Sequence, residues 1–79
     1  MTCEEINKII VESKADGVPD RLLSLLTVLR AFQCNDGFVE VVNERIRLVR
    51  GCEDEVWEMR NAGKEPLPDL VRLIEHFKR

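Results

Sequence analysis

The chain has 79 residues, 44% hydrophobic and 34% charged, with twelve basic and fifteen acidic side chains and a net charge of −3. That composition is too apolar for intrinsic disorder and too charged for a membrane span, and its longest apolar runs are two or three residues. One small domain over 1–79 is expected, burying about 60% of its unfolded surface, and the acidic balance gives no bulk attraction to nucleic acid or anionic lipid.

The first predicted helix lies in "TCEEINKIIVESKADG". Thr2 and Glu5 have the spacing of a capping box. Cys3, Ile6 and Ile10 follow at i, i+3 and i+7 with Ile9 beside them, one helical stripe. Gly17 can take the left-handed turn that ends a helix, and Pro19 confirms the break.

The second helix opens at "VPD", where proline suits the first turn and Asp20 the positive end of the dipole. Leu22, Leu23, Leu25, Leu26, Val28, Leu29 and Phe32 then cover well over half the circumference. Asp20, Ser24, Thr27 and Ala31 make the only narrow stripe that is polar or small. Such a rod wants neighbours on nearly every side. It stops at "QCNDG", a run of turn formers in which Asn35 or Asp36 could cap the next helix.

The third segment, "FVEVVNERIRLVRGCEDEVWEMRNAG", is the longest. Val42, Val49 and Val56 recur every seven residues, as do Arg45, Cys52 and Met59, and with Phe38 and Ile46 they form a seam from 38 to 59. Gly51 lies off that seam and costs about 1 kcal/mol relative to alanine. One long helix, bent at Gly51, is expected; two helices broken at "RGCEDE" would make the bundle five-helical. Gly63 ends the segment. After the linker "KEPLPD", Leu70, Leu73, Ile74 and Phe77 fit the i, i+3, i+4, i+7 pattern, and His76, Lys78 and Arg79 are expected at the negative C-terminal end. The expected fold is all-α, a small four-helix bundle built from two helical hairpins with a long third helix.

The candidates for chemistry are few. Three cysteines is an odd number, which argues against a disulfide framework and for a reducing compartment, so Cys3, Cys34 and Cys52 are expected as core or near-core thiols. With His76 they lack the close ligand pairs of a zinc site, being separated by 30, 17 and 23 intervening residues. No nucleophile–base pair and no glycine-rich phosphate loop can be assembled. Neither a cofactor nor a metal is expected, and the chain reads as non-enzymatic. Glu53, Asp54 and Glu55 point in different directions on a helix and belong to a solvated face.

Two functional readings remain. The leading one is a protein-interaction or adaptor module, self-associating as a homodimer or docking on another protein's helix. Its interface would be Phe38, Val42, Arg45, Val49, Val56, Trp57 and Met59, with Arg45 in an ion pair that fixes the partner's register. The alternative is a small nucleic-acid-binding or transcription-regulatory protein contacting phosphates through Arg47 and Arg50. The N-terminus has no basic segment followed by an apolar run, so a cytoplasmic or nuclear location is expected.

Overall fold

The computed structural model describes residues 1–34 and 42–78, with the side chain of Val42 left aside. Among the described residues are four helices and no strand: α1 (Cys3–Ala15), α2 (Asp20–Cys34), α3 (Val42–Asn61) and α4 (Pro68–Lys78). The expected caps at Asn35 or Asp36, the seam position Phe38 and the C-terminal cation Arg79 lie outside the described residues.

Local chemistry sets the helix ends. The Thr2 hydroxyl accepts the Glu5 N–H at 3.2 Å and donates to the Glu5 carboxylate at the same distance, a cap worth about 1 kcal/mol. α1 and α3 finish in the same way. Gly17 and Gly63 take φ of +86° and +88°, a region open to glycine because it has no Cβ. The following N–H groups then reach back five residues, Val18 to the Ser13 carbonyl at 3.2 Å and Lys64 to that of Met59 at 2.9 Å. Those bonds satisfy carbonyls that a helix end otherwise orphans.

The helices pack in a closed ring in which α2 touches α1 and α3, and α4 touches α3 and α1. Sequence neighbours run antiparallel. Cys3 at the start of α1 meets Cys34 at the end of α2, and Arg45 near the start of α3 meets Phe77 near the end of α4. Every helix contributes to one core: Ile6 and Ile9, then Leu22, Leu26 and Leu29, then Leu48, Val49, Cys52, Val56 and Met59, then Leu70, Leu73, Ile74 and Phe77. Burying each large aliphatic chain is worth about 1.5–3 kcal/mol.

Two expectations change here, on α2 and on the cysteines, and one, the long α3, is met. The leucine-rich second helix does not need a second polypeptide: Leu22, Leu26 and Leu29 are fully buried, while Leu23, Leu25 and Phe32 are half-buried against the core. Of its large apolar side chains only Val28 stands in water, 41% exposed. The ring places a helix on each shoulder of α2, which counting apolar positions could not foresee. α3 runs without a break through Gly51, and that glycine has a packing role. A Cβ there would come within 3.2 Å of Leu25 Cδ1, so the missing side chain is the notch into which α2 settles. Finally, Cys3 and Cys34 are not free thiols but form a disulfide, with Cα atoms 5.7 Å apart. Only Cys52 remains free, and it is buried.

Candidate functional site

The seam foreseen on α3 faces inward. Val49, Val56 and Met59 are buried in the chain's own core and so are unavailable as the interface expected of them. Ile46, expected on the same seam, is instead 47% exposed. Arg45, expected to fix a partner's register, turns to the end of α4. Its Nε donates to the Phe77 carbonyl at 2.8 Å, and its guanidinium carbon lies 5.9 Å from the centre of the Phe77 ring. The interface candidates are thus split, and among the described residues Trp57 is the one member of the expected set that stands largely in water, 66% exposed.

Trp57 borders an open groove of about 450 Å³ between α3 and α4. Val56 and Ile74, both buried, form the floor with half-buried Val71, and the indole stands at one side. The arrangement follows from the helical repeat. Val56 turns into the core, so its neighbour Trp57 falls about 100° further round, at the margin that α4 does not cover. Carboxylates of Glu53 and Asp54, one turn before Trp57, and of Glu75 on α4 complete the rim together with Arg60. Arg60 is drawn aside by Glu65, at 3.1 Å. Lys78 extends its ammonium to Glu53 at 3.1 Å and to Glu75 at 3.7 Å. The hydrogen bond to Glu53, reinforced by both negative charges, raises the lysine pKa above its ordinary value. The groove thus combines an apolar floor, an aromatic side chain and an anionic rim. Cys52, one turn before Val56, is buried, and burial foremost, then Glu53 and Glu55, pushes its thiol up to about 12. It therefore stays protonated at neutral pH and is a poor nucleophile.

Arg47 and Arg50, the proposed phosphate contacts, are both exposed on α3 and line a shallow depression with Asn43, Ile46, Gly51 and Asp54. Arg47 pairs with Glu44 at 3.7 Å, and Asp54 closes the other side, so carboxylates flank the two guanidiniums.

Sequence reasoning missed a further cluster at one end of the bundle. The Gln33 amide donates to the Met1 carbonyl, and its oxygen lies 2.7 Å from His76 Nε2. With the adjacent Cys3–Cys34 disulfide, this ties α1, α2 and α4 together. The proximity of Cys34 to the turn-forming "CNDG" and of Cys3 to the opposite helix end was the available signal, legible once the α1–α2 hairpin is drawn. No family model, curated protein or solved structure matches the chain.

Proposed function

We propose that this chain is a non-enzymatic helical adaptor that docks on a helix of another protein through the α3–α4 groove. The observation that carries the reading is Trp57. A large amphipathic side chain, two-thirds in water, borders a groove floored by Val56 and Ile74. Tryptophan anchors are enriched in interfaces because a rigid indole buries much apolar area at low entropic cost. Self-association loses part of its basis, since Val49, Val56 and Met59, expected to be shared between two copies, are buried inside one. The Cys3–Cys34 disulfide supports an oxidising compartment over the cytoplasmic or nuclear location expected from sequence.

Trp57 is the only tryptophan, so its emission reports the groove directly. Uncharged amphipathic helical peptides should shift that emission to the blue and lose affinity at least tenfold for the Trp57→Ala chain, followed with labelled peptide. Absence of any shift, with the protein folded, overturns the reading. The second reading, nucleic-acid contact through Arg47 and Arg50, draws on the exposure of both guanidiniums. It requires binding to duplex or single-stranded probes that weakens steeply with salt.

A further inference from the structure

We infer that the helix received by the α3–α4 groove is cationic, presenting a Lys or Arg beside its apolar anchor. This rests on the docking reading above and adds the partner's charge. Glu53 and Asp54 precede Trp57 by four and three residues, which puts them on its own face of α3, and Glu75 faces them from α4. The indole therefore stands among three carboxylates. Local cations do not balance them. Arg60 is engaged by Glu65, Lys78 is shared between Glu53 and Glu75, and Asp54 has no ion pair among the described residues. Among the described residues that line the groove or pair with its rim, two negative charges remain in excess, with Arg50 lining the adjoining depression on the other side of Asp54.

Lys78 shows what the rim accepts. An exposed ammonium already lies within ion-pair distance of both Glu53 and Glu75. A partner cation entering beside Trp57 meets Asp54, which has no ion pair among the described residues, and the negative face of the indole, which attracts cations. The same charges argue against the other occupants. In a symmetric dimer through this groove each acidic rim would meet its own copy, and like charges set against each other are unfavourable. A phosphate backbone would meet the same repulsion.

The test uses the full chain, Trp57 emission and three synthetic helices that share one apolar stripe and carry flanking Lys, Gln or Glu. The Lys helix is expected to bind about tenfold more tightly than the Gln helix at low ionic strength, and the Glu helix more weakly than either. The Lys advantage should shrink in high salt, because exposed charges are screened. Asp54→Lys, at an exposed position, should remove most of that advantage, so that the Lys helix binds the variant no more tightly than the Gln helix does. Equal binding of all three helices, or a Lys preference untouched by Asp54→Lys, overturns the inference while the docking reading stands. If no helix, the Gln version included, perturbs Trp57, both fall.

Discussion

Arg45 and Phe77 lock the start of α3 to the end of α4 twice over. The guanidinium Nε donates to the Phe77 carbonyl at 2.8 Å, and the same cation lies 5.9 Å from the centre of the Phe77 ring. A cation at a helix C-terminus stabilises both an orphan carbonyl and the negative dipole end. Arg45→Met keeps an apolar stem but removes the donor and the charge. It should lower unfolding stability by about 1–2 kcal/mol, seen as a reduced urea midpoint with an unchanged slope.

Gly51 offers a sharper case, because two effects compete there. Alanine gains about 1 kcal/mol of helix propensity, yet its Cβ would sit 3.2 Å from Leu25 Cδ1. Leu25 is half-buried and the obstructing atom is the far end of its side chain, so it can move by a few tenths of an ångström. Gly51→Ala should therefore stabilise the chain by roughly 0.5 kcal/mol. Gly51→Leu cannot be relieved so cheaply, and should destabilise by about 1–3 kcal/mol. Chemical denaturation of the pair tests whether α2 and α3 meet at this notch.

The Cys3–Cys34 bridge closes a separation of 31 residues. In the chain-entropy model a loop of that size adds roughly 3–4 kcal/mol by restricting the unfolded chain. Cys3→Ser with Cys34→Ser should lose most of that amount, whereas reductant should leave the double variant's melting temperature unmoved. Denatured, unreduced protein should show one titratable thiol and reduced protein three.

Cys52 supplies a pH dependence with a definite sign. Its thiol is pushed up from 9.0 to about 12, by burial first and then by Glu53 and Glu55. Between those values the unfolded chain releases a proton that the folded chain retains, so folding stability is full below about pH 9 and falls as pH rises toward 12. Cys52→Ala should flatten this decline relative to the parent chain. In the native protein at pH 8 a disulfide reagent should leave Cys52 unmodified until the chain unfolds.

Ser13 is fully buried, and its hydroxyl has no hydrogen-bond partner among the described residues. A buried unsatisfied polar atom carries a desolvation cost, and alanine is also the better helix former. Ser13→Ala should raise stability by about 1 kcal/mol, measured by thermal or urea unfolding.

What could be read beforehand was chemistry written within a few residues. The Thr2 cap, the stops at Gly17 and Gly63 and the apolar stripe of α4 each depend on neighbours in sequence, and the structure has them as expected. The heptad spacing of Val49 and Val56 correctly marked an apolar side of α3. It carried no information on whether the covering surface belonged to the same chain. The same gap explains the misreading of α2, whose flanks are covered by helices distant in sequence. Gly51 looked like a cost because the methyl group it makes room for belongs to Leu25, and an odd cysteine count says nothing about which two sulfurs meet. Trp57 was recognisable as a residue beside the seam, but the groove under it needs α4 to exist.

The position of Gln33 has an engineering consequence. Since Met1 and His76 both reach this one side chain, the first residue and the last turn of α4 sit at the same pole of the bundle, with the Gly17 and Gly63 turns at the other. The domain can accordingly be spliced as a single cassette into a surface loop of a host protein, entering and leaving through neighbouring points. By the same token, a short peptide bridging those points and a new opening beside Gly63 should yield a circular permutant that folds.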